Sequence, residues 1–289
     1  MRACQEFVDY INGLQGADQG VVELYGEIGK LDKFQQNGIK FSISHAKGNA
    51  VTTSYIYGSK SITEVKLTIP KLSGANYAGQ VNTTLHEEMH LIDLMLRSDP
   101  TKYGSNFAAS FTPLTNAINN TTSDIGASVL SLFKKHDDKF RSLRKTLEQK
   151  YNVAEDAARR AFIPNGAFAV GADYKAYKKA KDKAWKDIME DELDYEARNI
   201  MGGGIGCLED IYDALSGGNH RDSGKVLYGH GSQYYRSAQA RANEIIANYG
   251  ALSVTRPDLV AELGKDKPDL VDALNKTIEE MRKKAGTIV

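Results

Sequence analysis

The sequence contains little of what several classes of protein depend on. Only two of its 289 residues are cysteine, Cys4 and Cys207, which excludes a disulfide framework and a Cys-rich structural zinc site, while one bridge between the two stays an open alternative. No apolar run approaches the length of about 18 residues that a membrane-spanning helix needs. The 37 basic and 37 acidic residues cancel, so we expect neither nucleic-acid binding nor attraction to a membrane.

The first residues also lack a secretion signal. Met1–Glu6 contain an acid and no hydrophobic stretch, so we expect a protein that stays in the cytoplasm unless a longer parent chain or a dedicated route moves it. The remaining composition, 41% apolar and 26% charged, is that of an ordinary globular protein with enough apolar material for a core.

Hydrophobic periodicity predicts an α+β chain that is predominantly helical. Amphipathic helices at 2–14 and 21–34 are followed by three alternating runs, at 40–44, 51–57 and 65–69. Gly-Asn and Gly-Ser turns separate these runs, which favours a small N-terminal sheet. A later segment rich in Lys, Asp, Ala, Arg and Leu predicts two or three long helices inserted into the domain.

These changes of pattern divide the chain into four parts. Residues 1–121 contain the sheet, 122–199 form the helical insertion, 200–253 complete the first domain, and 254–289 form two closing helices. Regularly spaced apolar side chains on a helix more often belong to a core than to a cofactor site. Within the insertion we therefore expect four such residues to pack together: Tyr174, Tyr177, Trp185 and Ile188.

A His-Glu-x-x-His motif lies in the segment Thr83–Leu94, which has helical periodicity. On a helix, His86 and His90 are one turn apart and project from the same face, so that both imidazoles can bind one zinc ion. Glu87 is rotated by about 100° from His86, where its carboxylate can take a proton from a water that the ion activates. The apolar stripe of this helix predicts its burial in the core: Leu85, Met89, Ile92 and Met95.

Catalytic zinc usually takes three protein ligands and leaves one position for water. Asp93 is too short to reach back to the same ion, and we expect it to orient one of the histidines. The candidates for the third ligand are Glu244, His230, Asp210 and Glu209. Glu244 is favoured because its helix is apolar around it, and a buried carboxylate is costly unless it meets a cation. The alternative is a Glu244 that faces solvent.

Three further segments carry a resemblance to a known family. Asp210–Gly218, Gly229–Tyr235 and Asn243–Tyr249 follow the motif in the order found in the zincin-like metallopeptidase region of phage minor head (head-morphogenesis) proteins and related toxin modules, which this part of the chain resembles. The resemblance implies that Glu244 is the third zinc ligand and that His230 lies near the site. It also implies a zincin-like fold, in which a sheet edge borders the metal cleft. The strand Leu67–Ile69 is the candidate edge, and a plain hairpin packed on the helix is the alternative.

These observations lead us to expect a zinc-dependent endopeptidase that acts on a protein or peptide. Glu87 would be the general base, and His230, Tyr234 or Tyr235 could donate a hydrogen bond to the oxyanion. For His230 the alternative is a turn histidine that bonds the glycine-rich backbone. Two other functions stay open: a phage structural or assembly protein, associated with the virion, whose zinc is structural, and a helical interaction protein without metal.

Overall fold

The computed structural model describes residues 16–26, 38–45, 50–69, 77–163, 172–192 and 204–287. Over these ranges the chain is predominantly helical with a small three-stranded sheet, so the predicted α+β class is confirmed. The contacts divide the chain into two compact units, one formed by Met1–Phe133 with Gly203–Val289 and the other by Lys134–Gly202. The insertion proposed from the sequence, 122–199, overlaps the second of them. In the described ranges, no helix has the length and apolar character required to cross a membrane.

The elements follow the predicted order. They are α1 (Gln19–Gly26), β1 (Lys40–His45), β2 (Ala50–Ile56), β3 (Ser61–Ile69), α2 (Tyr77–Met95), α3 (Phe107–Ser110), α4 (Thr112–Asn120), α5 (Ala127–Phe162), α6 (Ala172–Ala184), a π-helix (Trp185–Glu192), α7 (Ile205–Leu215), α8 (Asn219–Asp222), α9 (Ala238–Thr255), α10 (Pro257–Asp266) and α11 (Pro268–Thr287). The helix predicted at 2–14, the end of the one at 21–34, and Cys4 lie outside the described residues.

The prediction that Leu67–Ile69 form a sheet edge is wrong. The strand order is β1-β3-β2, so β3 lies in the middle. Leu67 pairs with Ile43 of the parallel strand β1 on one side and with Val51 of the antiparallel strand β2 on the other. Both backbone sides of β3 are therefore occupied, and no extended peptide can add there. The alternative, a hairpin packed on the motif helix, describes β2 and β3, since β3 contacts α2.

The core of the first unit is built where α2 packs on α9. Leu85, Met89 and Ile92 are buried as predicted, and Met95 is partly buried against the same core. Gly250 permits close approach of the two helices, because a Cβ atom at this position would lie 2.4 Å from Met89 Cε. Burial of this apolar face stabilises α2 by tertiary packing and holds its motif residues in place.

The second unit has a smaller core of its own, formed by Leu147, Tyr151 and Met189. Ile188 packs against it as expected, and Trp185 contacts Tyr151 edge to face with ring centroids 5.1 Å apart. Trp185 is nevertheless 45% exposed and Tyr174 is 49% exposed, so the expectation that all four side chains are core residues is wrong for these two. Tyr177 lies between these extremes, with its hydroxyl donating to Glu155 Oε1 at 2.8 Å.

Candidate metal centre

Two neighbouring helices bring the three predicted ligand residues together. His86 and His90 project from one face of α2, and their Nε2 atoms are 3.1 Å apart. Glu244 of α9 faces both rings, with its Oε2 atom 3.3 Å from His86 Nε2 and its Oε1 atom 3.4 Å from His90 Nε2. Closer to the start of α2 and the end of α9, Thr255 Oγ1 donates to Asn82 Oδ1. The two helices therefore run antiparallel. This pairing makes residues 154 positions apart in the chain neighbours in space.

The spacing of these three groups suits a tetrahedral ion. Donor atoms that bind zinc at about 2.0–2.1 Å lie roughly 3.3 Å from one another in a tetrahedral site, close to the observed 3.1–3.4 Å. Glu244 Oε2 is buried, and apart from the His86 ring it meets no hydrogen-bond donor among the described residues. The histidine side chains are 14% and 16% exposed, so solvent reaches the side of the cluster that they form. The residues therefore fit a divalent cation with an open position.

The charges of the cluster are strongly coupled. Burial alone would lower the pKa of His90, but the charge and hydrogen bond of Glu244, together with the charges of Glu87 and Asp93, outweigh burial and raise that pKa to about 9. Burial likewise opposes ionisation of Glu244, yet His90 and His86 hold its pKa well below the usual range for a carboxyl group. Without an ion, a proton on His90 balances the carboxylate. A bound cation would take over this role.

His86 is oriented by an amide that the sequence did not single out. Its Nδ1 atom lies 3.0 Å from Asn248 Oδ1, so Nδ1 carries the proton and donates it, which leaves the lone pair at Nε2 directed to Glu244. Asn248 is one helical turn after Glu244 on α9 and therefore lies on the same face of the helix. This spacing is the sequence feature that could have predicted its contact with His86. The expectation for Asp93 is corrected: its Oδ1 atom accepts from the backbone N–H of Ala108 at 2.7 Å and stabilises the start of α3.

The two glutamates of the motif have different surroundings. Glu87 is buried, and its negative charge adds to that of Glu244 in raising the pKa of His90. Burial and the charges of Glu244 and Glu87 also raise the pKa of Tyr234. Glu87 thus lies within electrostatic reach of the cluster, as a base would have to. Glu88 points into the core, where burial raises its pKa to about 8 and keeps it protonated at neutral pH.

The loop between α8 and α9 carries the candidate hydrogen-bond donors. Tyr234 donates to Glu244 Oε1 at 2.5 Å and stacks on His230 with ring centroids 4.3 Å apart. His230 Nδ1 lies 3.1 Å from Asp210 Oδ1, and this hydrogen bond outweighs burial and raises the pKa of His230. Tyr235 is buried and donates to Asp210 at 2.6 Å. Since its hydroxyl is engaged in the core, Tyr235 is the weakest of the three predicted oxyanion donors.

Of the remaining candidate ligands, neither Asp210 nor Glu209 belongs to the cluster with the two motif histidines. Glu209 Oε2 accepts from the backbone N–H groups of Leu227 and Tyr228, which fixes the start of the loop. Asp213 acts in the same way, because its two oxygens accept from the backbone N–H groups of Arg221 and Gly231. Carboxylates on α7 thus hold the loop that carries His230.

Close packing of this loop predicts a large effect at Gly218. This residue has φ +88°, and a Cβ atom there would lie 2.1 Å from the backbone of Gly231 and Ser232. Gly218→Ala should therefore lower the free energy of unfolding by about 3 kcal/mol, measured by urea denaturation. Gly217→Ala is the matched control, because Gly217 also has positive φ but nothing lies within 4 Å of the added Cβ, and it should cost about 1 kcal/mol. Equal losses in the two variants would contradict the packing argument.

Cys207 carries a free thiol, and its sulfur accepts a hydrogen bond from Asn82 Nδ2 at 2.9 Å. Burial raises the pKa of this thiol to about 12, so it is not a reactive thiolate at neutral pH.

Comparison of the chain with protein-family models, with curated proteins and with solved structures finds no match.

Proposed function

We propose that the protein is a zinc-dependent endopeptidase of the zincin-like type, with a metal held by His86, His90 and Glu244. One observation carries the proposal: a buried glutamate from a distant helix meets the two motif histidines at donor spacings of 3.1–3.4 Å, and the charge of Glu87 acts on one of them, His90. Two imidazoles and one carboxylate form a donor set used by catalytic zinc. A purely structural site would have no need for an additional base next to the histidines.

In the proposed reaction, each of the residues around the metal ligands has its own role. Zinc supplies Lewis-acid activation of water and of a peptide carbonyl at neutral pH. Glu87 accepts the proton of the attacking water and then passes it to the leaving amine. His230, stacked on Tyr234 next to Glu244, is the group available to donate to the developing oxyanion, and Tyr234 would first have to turn its hydroxyl away from Glu244 Oε1. Asn248 keeps His86 in the tautomer that presents Nε2.

The substrate that we propose is a protein or peptide in extended form. Since β3 is occupied on both sides, peptide addition to the sheet would have to use β1 or β2. The resemblance to phage minor head proteins and toxin modules favours phage structural proteins or host proteins as the class of substrate or partner. It also makes association with a virion part of the proposal.

Metal analysis and a cleavage assay test the function together. We expect purified protein to contain about one zinc ion per chain and to cleave an unfolded protein such as reduced casein, with loss of cleavage in a chelator and recovery on addition of zinc. Protein that binds no zinc would favour a helical interaction protein. Protein that binds one zinc but cleaves no unfolded substrate would favour the alternative, an assembly protein with a structural ion.

A further inference from the structure

Asp210 connects the candidate metal ligands to the loop that carries His230. It is buried on α7, and hydrogen-bond partners surround both oxygens. Oδ1 accepts from the Tyr235 hydroxyl at 2.6 Å and lies 3.1 Å from His230 Nδ1. Oδ2 accepts from Asn248 Nδ2 at 2.8 Å. One carboxylate therefore contacts groups from the loop and from α9.

The carboxylate of Asp210 determines which group donates and which accepts in the hydrogen bonds that lead to His86. An ionised carboxylate can only accept, so the amide of Asn248 must turn its NH₂ group toward Asp210. Its oxygen is then the atom that faces His86 Nδ1, 3.0 Å away. An amide oxygen can only accept, and His86 must therefore carry its proton on Nδ1. The identity of residue 210 thus decides which nitrogen of His86 presents a lone pair to Glu244.

We propose that Asp210 and Asn248 are positioning residues of the zinc site: they fix the Nδ1–H tautomer of His86 and, from the same carboxylate, hold His230 and Tyr235 in place. This inference rests on the proposed function. Neither residue touches substrate or metal. Mutation of an outer hydrogen-bond partner of a metal ligand typically costs about 10- to 100-fold in metal affinity.

A second metal site is the competing interpretation of the same residues. Asp210, His230 and Glu244 each offer a ligand atom within 4.8 Å of the others. A second ion at Asp210 would compete with the donors that this carboxylate already accepts from, Tyr235 on Oδ1 and Asn248 on Oδ2. The hydrogen-bond pattern favours a single ion per chain, with Asp210 acting through its neighbours.

An exchange of the two side chains tests the proposal. Asn248→Asp alone brings two carboxylates together at the 2.8 Å contact. Asp210→Asn alone leaves one acceptor oxygen where Tyr235 and Asn248 now donate to two, so the orientation of the Asn248 amide is no longer fixed. Each should weaken zinc binding by about 10- to 100-fold, measured by competition with a chromophoric chelator. In the double variant, the carboxylate introduced on α9 could accept from both His86 and the amide introduced on α7, and the oxygen of that amide could still accept from Tyr235. We expect the double variant to recover most of the lost affinity.

A control variant and a measurement of the His86 tautomer accompany the affinity measurements. Asp258→Asn removes an exposed carboxylate that pairs with Arg256 and should leave zinc affinity unchanged. In metal-free protein, long-range ¹H–¹⁵N NMR should show His86 protonated at Nδ1 in the wild type and the double variant, and a mixture of tautomers in Asn248→Ala.

Wild-type affinity in both single variants, or a double variant no better than the weaker single one, would overturn the proposal. Two zinc ions per wild-type chain, falling to one in Asp210→Asn, would make Asp210 a ligand and overturn it as well. Zinc binding without any cleavage by the wild type would instead remove the endopeptidase and leave the affinity comparison decisive. If the wild type binds no zinc, the metal-free tautomer of His86 decides: an Nδ1–H form lost in Asn248→Ala supports the positioning role, and an unchanged form overturns it.

Discussion

Glu87→Gln is expected to leave zinc bound and to reduce kcat by about 10²- to 10⁴-fold, the usual contribution of a general base. Glutamine has nearly the shape of glutamate and preserves packing at a buried position, but its amide cannot accept a proton from water at neutral pH. The ligands His86, His90 and Glu244 are unaltered, so metal content should stay near one ion per chain. The measurement is the steady-state cleavage rate of an unfolded protein, with zinc determined on the same sample.

The neighbouring residue supplies a matched control for this experiment. Glu88 is buried, and its pKa of about 8 means that it is already neutral at pH 7, so Glu88→Gln replaces one neutral group by another of the same shape. We expect this variant to keep both zinc and cleavage. Full activity in Glu87→Gln, or an equal loss in both variants, would remove Glu87 from its role as base.

Glu244→Ala should have the largest effect on the metal. It removes one of the three donors and leaves two imidazoles 3.1 Å apart with no carboxylate between them. Zinc affinity should fall by more than the roughly 10- to 100-fold expected for an outer hydrogen-bond partner, and cleavage should disappear at stoichiometric zinc. Zinc content after gel filtration, measured by atomic emission, checks the result.

Glu262→Ala is the control for Glu244→Ala, because Glu262 forms an exposed pair with Lys265 outside the cluster. It should retain zinc and activity. If Glu244→Ala bound zinc as tightly as the control, the third ligand would have to be sought elsewhere, and Asp210 and His230 would be the next residues to replace. Circular dichroism of both variants establishes that a loss of metal is not a loss of fold.

Local patterns in the sequence were sufficient to identify most elements. The alternating runs at 40–44, 51–57 and 65–69 became the three strands, and the amphipathic motif segment became α2, because each pattern matches the period of its own element. The proximity of Glu244 to the histidines was expected from a charged residue on an otherwise apolar helix. This argument works because a buried carboxylate needs a compensating charge whatever the fold.

Strand order and hydrogen-bond partners were not accessible in the same way. The central position of β3 depends on its direct pairing with β1, although β2 lies between these two strands in the sequence. No local pattern encodes that choice. Asp93 was assigned to a histidine on spacing alone, whereas the backbone N–H of Ala108 is the donor that it meets. The links among Asn248, Asp210 and the loop of His230 join three separate segments, and the packing of α7 against α9 brings them together.

The distance along the chain between His90 and Glu244 has a consequence for biosynthesis. A growing polypeptide exposes both imidazoles long before the ribosome adds the glutamate, and the 153 intervening positions include the whole of the second compact unit. During that interval α2 also lacks α9, the helix that buries its apolar face. An incomplete nascent chain therefore cannot assemble the three-donor site. For the peptidase activity that we propose, translation itself would delay cleavage until the residues of α9 have emerged.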